Sequence, residues 1–129
     1  MKKIVWVNGC FDILHRGHYE LFNYAKSLGD ILIVGIDSDN KVKNRPYNNL
    51  DDRTYALKSL QAINDVIYFN SKEELKDLIK NKQPDILVVG SDWKGKEIVG
   101  GEYAKKIVYF DRIENYSTTN ILEWKNSQR

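Results

Sequence analysis

The sequence predicts an α/β fold: a Rossmann-like, doubly wound, five-stranded parallel sheet with helices on both faces. Five short apolar segments recur along the 129 residues, and segments with helical periodicity separate the first four of them. The apolar segments are continuous rather than alternating, which is typical of parallel strands that are covered on both faces. Strands that alternate with helices over short connections pack as a parallel sheet between two layers of helices.

The first strand is predicted over residues 4–7, which read Ile-Val-Trp-Val. A helix follows, because apolar side chains recur at spacings of three and four residues, at Tyr19, Leu21, Phe22, Tyr24, Ala25 and Leu28. That helix should stop at Gly29, since glycine is common just after a helix end. The second strand is predicted over residues 31–36, and a polar loop follows over residues 41–49.

The alternation continues with a helix over residues 50–63, which has acidic residues in its first turn. The third strand is predicted over residues 65–69. Ser71 then caps a third helix, and Glu74 three residues later completes a capping box. The fourth strand is predicted over residues 85–90.

The last part of the chain is predicted to hold one further strand, over residues 107–110. A short helical stretch is expected before it, over residues 98–105, and a last short helix after it, over residues 120–125. Three consecutive hydroxyl residues, 117–119, precede that last helix, which is more than one helix cap requires. Their hydroxyl groups are also donors for a phosphate.

The length of 129 residues suits a single domain with one core, which we expect to span residues 1–129. The formal net charge of +2 is too small to argue for nucleic acid or a membrane surface, so neither is expected as a partner. A single cysteine cannot form an internal disulfide, and no apolar segment resembles a signal peptide or a membrane span. We therefore expect a cytoplasmic protein.

The turn between the first strand and the first helix holds the strongest functional signal. It contains Gly9, Asp12 and Gly17 together with His15 and His18, the two histidines of the chain. A helix amino terminus presents N–H groups and the positive end of a dipole, which suit a phosphate. Histidines three residues apart in a first helical turn share one face, and the glycine between them leaves room for a nucleotide. The sequence therefore predicts a phosphate site at this turn.

The other polar clusters also follow predicted strands. Because the carboxyl ends of parallel strands share one edge of the sheet, we expect these clusters to converge. The sequence has no serine or cysteine nucleophile with an adjacent base, no zinc-binding cluster, no P-loop and no Gly-x-Gly-x-x-Gly after the first strand. Histidines, cations, hydroxyl groups and helix starts remain, and these suit transfer of a nucleotidyl group.

The segment Gly9-Cys10-Phe11-Asp12-Ile13-Leu14-His15-Arg16-Gly17-His18 resembles the His-x-Gly-His signature of the cytidylyltransferase-like nucleotidylyltransferases. Three later segments resemble that family in the same order. They are the lysine-containing loop that leads to Arg53, then Gly90-Ser91-Asp92-Trp93, then Arg112-Ile113-Glu114-Asn115-Tyr116-Ser117-Thr118-Thr119. The resemblance therefore covers nearly the whole chain.

The resemblance implies a role for each matched residue. The residues that act on the transferred phosphate would be His15, His18, Lys41 and Lys43. Those that bind the nucleotide would be Gly9, Cys10, Phe11, Asp12, Gly17, Gly90, Asp92, Trp93, Arg112, Ser117, Thr118 and Thr119. The acceptor would meet Asp37, Asp39 and Arg53. Mg²⁺ would accompany the nucleotide and bridge its phosphates, with Asp12 touching the metal.

The resemblance also implies a reaction of an NTP, either ATP or CTP, with a small phosphorylated sugar or polyol. Residues 8–15, 45–53 and 97–100 look like the heptose-1-phosphate adenylyltransferases, whereas residues 90–96 and 112–114 look more like glycerol-3-phosphate cytidylyltransferase. We expect a heptose-like sugar phosphate as the acceptor, giving an NDP-sugar for surface polysaccharide synthesis. A polyol-phosphate cytidylyltransferase is the alternative, and a non-catalytic nucleotide sensor is the lesser one. Because the family commonly forms homodimers, a homodimer is expected.

Overall fold

The computed structural model describes residues 2–38 and 46–111, and these contain strands and α-helices in the predicted alternating order. The strands are β1 Ile4–Gly9, β2 Ile31–Asp37, β3 Asp65–Phe69, β4 Ile86–Gly90 and β5 Lys106–Phe110. The α-helices are α1 Arg16–Ser27, α2 Leu50–Lys58 and α3 Lys72–Lys82. No helix within these two ranges has both the length and the apolar character that crossing a bilayer would require.

The strands form one parallel sheet in the order β3-β2-β1-β4-β5, which confirms the predicted α/β architecture. The longest register joins β1 to β2, from Ile4 opposite Ile31 to Gly9 opposite Ile36. The chain runs outward from β1 to β3 and then crosses back to place β4 on the other side of β1. Strand β1 is therefore the centre of the sheet.

Each face of the sheet has its own apolar core. One core contains Phe22 and Ala25 of α1 together with Leu57 of α2, and the other contains Leu75 and Ile79 of α3. Helices α1 and α2 therefore cover one face and α3 covers the other, as the doubly wound pattern predicts.

Strand β1 supplies side chains to both cores. Val5 and Val7 belong to the core under α1 and α2, whereas Trp6 lies fully buried in the core under α3. The indole needs space from the neighbouring strand, since a Cβ at Gly35 would lie 2.6 Å from the Trp6 ring. The centre of the sheet is therefore closely packed, and the turn after β1 begins from this closely packed strand.

Two predicted helices differ from the structure. Helix α2 ends at Lys58 rather than at residue 63, because Leu60 and Ile63 reach the same core from a turn that follows the helix. Within residues 98–105 only a 3₁₀ turn forms, Gly101–Tyr103. Gly100 precedes it with φ of +79°, a left-handed conformation that stops a longer helix from starting there. The helix predicted over residues 120–125 lies outside the described residues.

Candidate active site

The candidate site lies at the carboxyl ends of β1 and β4, which are neighbours in the sheet. From β1 the chain continues to β2 on one side, and from β4 it continues to β5 on the other. Such a reversal leaves a crevice beyond the strand ends, which is where open α/β sheets bind ligands. Gly9 ends β1 directly before the histidine-containing turn, and Gly90 ends β4 directly before residues 91–93.

Phe11 reverses the chain after β1. Its φ of +49° is left-handed, a conformation that costs a residue other than glycine about 1–2 kcal/mol. Burial offsets this cost, because the ring is 8% exposed and packs edge-to-face on Phe22 with 5.1 Å between ring centroids. The ring also covers Gly9, where an added Cβ would lie 3.0 Å from Phe11 Cζ. The turn is therefore built around one buried ring.

The two histidines cap the amino terminus of α1. His15 is the N-cap residue, and its Nδ1 accepts a hydrogen bond from the Gly17 N–H at 3.0 Å. His18 Nδ1 accepts from the His15 N–H at 3.3 Å, which completes a capping box made of two imidazoles. The box satisfies backbone N–H groups that would otherwise have no acceptor within the helix.

These capping bonds decide which ring nitrogen carries the proton. A nitrogen that accepts a hydrogen bond uses its lone pair, so each neutral ring has its own N–H at Nε2. The two partly exposed rings are adjacent, with 3.9 Å between centroids and 33° between planes. Phe11 meets the His18 ring edge-on at 5.6 Å. The pair therefore carries two neighbouring Nε2–H donors, which suit the oxygens of a phosphate.

Asp12 joins this turn to the segment that leads into α2. Its Oδ2 accepts from the Tyr47 N–H at 2.6 Å, and its Oδ1 accepts from the Asn48 N–H at 2.8 Å. The Asn48 side-chain amide returns a hydrogen bond to the Asp12 carbonyl at 3.1 Å. Both carboxylate oxygens therefore contact main chain, and the metal contact predicted for Asp12 stays a prediction.

Arg53 of α2 is 1% exposed although it carries a permanent charge. Its Nε donates to the Asn48 carbonyl at 3.0 Å, and its Nη1 donates to the carbonyls of Cys10 at 2.9 Å and Asp37 at 2.6 Å. These carbonyl oxygens replace the water that a buried guanidinium loses. Arg53 therefore binds three backbone segments together, and its predicted contact with the acceptor stays a prediction.

The turn after β4 forms the other side of the crevice. Ser91–Trp93 is a 3₁₀ helix without a side-chain cap, and a Cβ at Gly90 would lie 2.6 Å from Asp92 Oδ1. The Asp92 carboxylate therefore folds back over the end of β4. Trp93 is 48% exposed, and Lys96 Nζ lies 5.9 Å from its ring centroid. A half-exposed indole at the strand ends is suited to stacking on a nucleobase.

The structure places the predicted residues in two described groups. The first group surrounds the ends of β1 and β2 and contains Gly9, Cys10, Phe11, Asp12, His15, Gly17, His18, Asp37 and Arg53. The second group follows β4 and contains Gly90, Asp92 and Trp93. The remaining predicted residues lie outside the described ranges, namely Asp39, Lys41, Lys43, Arg112, Ser117, Thr118 and Thr119.

Asn48 is a site residue that the sequence did not reveal. It contacts Asp12 through its main-chain and side-chain N–H groups and Arg53 through its carbonyl. An asparagine in a polar loop before a helix is common, so no signal separated it from its neighbours. Within residues 2–38 and 46–111, no three histidine, cysteine or acidic side chains gather into a group that would hold a metal ion.

A family model described as cytidylyltransferase-like matches residues 6–123. The chain belongs to this family. The bifunctional protein HldE of a Nitratiruptor species is 50% identical to it over 127 residues, and that of Helicobacter hepaticus is 48% identical over 127 residues. These alignments cover 95% of this chain but 27% and 26% of the relatives, so the chain spans about a quarter of their length. The resemblance stated from the sequence is confirmed.

Solved structures share the fold. The lipopolysaccharide core biosynthesis protein of Thermoplasma volcanium GSS1 has a TM-score of 0.68 and 24% identity, covering 91% of this chain and 100% of that one. The pantoate-beta-alanine ligase of Francisella tularensis has a TM-score of 0.62 and 19% identity, covering 97% of this chain and 69% of that one. At these identities the similarity supports the Rossmann-like architecture and no more.

Proposed function

We propose that this chain is a nucleotidyltransferase that joins an NTP to a heptose-like sugar phosphate and releases pyrophosphate. The observation that carries the proposal is the pair of histidines at the start of α1, each of which accepts a main-chain N–H at Nδ1. A neutral ring that accepts at Nδ1 has its N–H at Nε2. Membership of the cytidylyltransferase-like family and the similarity to the HldE proteins support it. The NDP-sugar would serve the synthesis of surface polysaccharides.

The reaction needs positioning and charge stabilisation more than acid–base chemistry. An oxygen of the acceptor phosphate attacks the α-phosphorus of the NTP, the bond from that phosphorus to the bridging oxygen breaks, and pyrophosphate leaves with the electron pair. A phosphate monoester is already ionised near neutral pH, so no general base is required. Negative charge increases on the transferred and departing groups, where His15 and His18 would donate from Nε2.

Magnesium enters the proposal as part of the nucleotide substrate. Mg²⁺ keeps several waters and is usually bound through substrate phosphates and one or two carboxylates, so it needs no cage of protein ligands. When bound, the ion would neutralise charge on the triphosphate. Lys41, Lys43, Arg112 and residues 117–119 remain proposed phosphate contacts.

The first test measures pyrophosphate release with Mg²⁺, using four NTPs against a panel of sugar and polyol phosphates. One productive pair of substrates is expected, and His15→Ala and His18→Ala should each lower its rate about a hundredfold or more. Glu20→Gln is the matched control on the same helix, because the Glu20 side chain pairs at 2.9 Å with exposed Arg16, and such pairs contribute little. The histidine variants contradict the proposal if they turn over as fast as the control.

The turn after β4 favours one alternative acceptor and base. Its sequence resembles glycerol-3-phosphate cytidylyltransferase, and Trp93 is half-exposed beside the crevice. Release with CTP and a polyol phosphate alone would select that alternative. Clear NTP binding without release for any pair would select a nucleotide sensor instead. We also propose a cytoplasmic homodimer that binds neither nucleic acid nor membranes, and light scattering of the purified chain tests the dimer directly.

A further inference from the structure

The histidine turn is anchored on both sides of Phe11. On the amino side, Arg53 Nη1 donates to the Cys10 carbonyl at 2.9 Å. On the carboxyl side, the Asp12 carboxylate accepts from both main-chain N–H groups of residues 47–48, at 2.6 and 2.8 Å. The two anchors also meet, since Arg53 Nε donates to the carbonyl of residue 48. The turn after β1 and the start of α2 are therefore held as one unit.

Phe11 connects these anchors to the histidines. Its left-handed φ of +49° persists only where the surrounding structure determines it, and its neighbours on both sides are the anchored residues. Its ring lies edge-on to the His18 ring at 5.6 Å, with 87° between the planes. Release of either anchor would let the turn relax to an ordinary backbone conformation. The ring would then move away from His18.

The two anchoring side chains bind the main chain. Both Asp12 oxygens accept backbone N–H groups, and Arg53 is 1% exposed and donates to carbonyls of three segments. We propose that Asp12 and Arg53 are positioning residues, which hold Phe11 and through it His18 in the arrangement that nucleotidyl transfer requires. Asp12 does this instead of ligating a metal ion. The proposal rests on the proposed function.

Asp12→Asn tests the carboxyl-side anchor, because it keeps the shape of the side chain and replaces one acceptor oxygen with a donor. Asp52→Asn is the control, an exposed aspartate in the first turn of α2. We expect kcat to fall about tenfold or more only in the first variant, with the KM for NTP and the half-saturating Mg²⁺ concentration unchanged. Recovery of the full rate at high Mg²⁺ would make Asp12 a metal ligand and overturn the proposal.

The imidazole nitrogen chemical shifts give a readout that needs no substrate. The chain has two histidines, so ¹H–¹⁵N spectra of the ring nitrogens resolve both without crowding. In the ligand-free protein, Asp12→Asn should shift the His18 signals, whereas Asp52→Asn should leave them in place. Identical histidine spectra for the two variants would overturn the proposal. If wild-type protein transfers no nucleotide, the proposed function fails, and these spectra still decide whether the anchors position His18.

Arg53 is tested by removal and chemical rescue. Arg53→Ala leaves a buried space of guanidinium shape. Millimolar guanidinium should therefore raise the kcat of this variant at least about fivefold, whereas equal concentrations of urea should not. Lys58→Ala, at an exposed site on the same helix, should not respond. Absence of rescue in a folded variant would contradict the proposal. If Arg53→Ala does not fold, Arg53→Lys replaces it, with an expected loss of about tenfold in kcat because an ammonium cannot reach all three carbonyls.

Discussion

The turns that follow β1 and β4 end neighbouring strands of one sheet, yet they are held very differently. The turn after β1 contains a strained, buried Phe11, a capping box of two histidines and the anchor Asp12, and Arg53 of α2 binds it from outside. The turn after β4 is a single 3₁₀ helix without a side-chain cap, and its Trp93 is half-exposed. The two sides of one crevice therefore differ in how closely their side chains are fixed.

The difference matches what each turn would do in nucleotidyl transfer. Charge stabilisation in a transition state depends on donors that are already in place, so the histidines need a rigid surrounding. Stacking on a base tolerates adjustment of an aromatic side chain as the ligand arrives. Variants at equivalent positions of the two turns should therefore have unequal effects.

The largest effect is expected at His15, whose ring both caps α1 and carries an Nε2–H donor, and a suitable substitution separates these two functions. Asparagine is a good N-cap residue, so His15→Asn should keep the cap but lose the Nε2–H donor. Turnover should fall about a hundredfold, as in His15→Ala. Thermal unfolding should distinguish the two, since only His15→Ala loses about 1 kcal/mol of stability. Equal turnover in His15→Asn and wild type would remove His15 from the reaction.

The next largest effect is expected at the glycines that end the two strands, Gly9 in β1 and Gly90 in β4. At Gly9 an added Cβ meets the buried Phe11 ring at 3.0 Å, so Gly9→Ala should cost about 1–3 kcal/mol and displace the turn. At Gly90 the added Cβ meets the end of the Asp92 side chain at 2.6 Å rather than a buried ring, and φ of −64° suits alanine. Gly90→Ala should therefore change stability by about 1 kcal/mol or less. Denaturant unfolding of both variants measures the contrast, which is refuted if Gly90→Ala is the more damaging change.

A smaller effect on turnover is expected at Trp93. Because about half of the ring is removed from water, Trp93→Ala should lower the free energy of unfolding by about 1–2 kcal/mol. The loss of stacking should raise the KM for the nucleotide about tenfold and leave kcat nearly unchanged. Steady-state kinetics at varied NTP concentration check this, with Trp93→Phe as the control that keeps a ring. A large fall in kcat would place Trp93 in the reaction itself.

The smallest effect is expected at the opposite end of the sheet. The Ile4 N–H, at 2.8 Å, and then Lys105 lower the pKa of Asp85 below its ordinary value. The carboxylate therefore adds stability above its unfolded pKa of about 3.9, and this is lost as the pH falls through the lower folded value. The melting temperature of Asp85→Asn should be slightly below wild type at pH 7, with the gap closing below about pH 4. Activity at pH 7 should not change.

Most of the fold follows from local sequence patterns. The continuous apolar segments and the three- and four-residue helical spacing identified β1 to β5 and α1 to α3. The error at the end of α2 arose because Leu60 and Ile63 keep a helical spacing while packing from a turn. The spacing of apolar residues indicates which side chains are buried, but it does not indicate whether a helix or a turn carries them.

The histidine turn was also recognisable, because its residue types and its place between a strand and a helix suit phosphate chemistry on their own. The roles of Asp12, Asn48 and Arg53 were not recognisable. Their partners are main-chain groups of residues 16 to 43 positions away in the chain, with the Asn48–Arg53 contact the exception. Backbone carbonyl and N–H groups are alike along the chain, so the sequence does not show which of them a side chain will bind.

The sequence by itself determined the elements, their order and the position of the two histidines, because propensity, burial and capping act over a few neighbouring residues. Only the tertiary structure decided that Arg53 is buried against main-chain carbonyls and that Asp12 anchors the start of α2. It also decided that the Phe11 ring lies edge-on to the His18 ring. These contacts exist only once β1 and β2 are paired and α2 has packed on the sheet, since folding brings distant main-chain groups within hydrogen-bond distance.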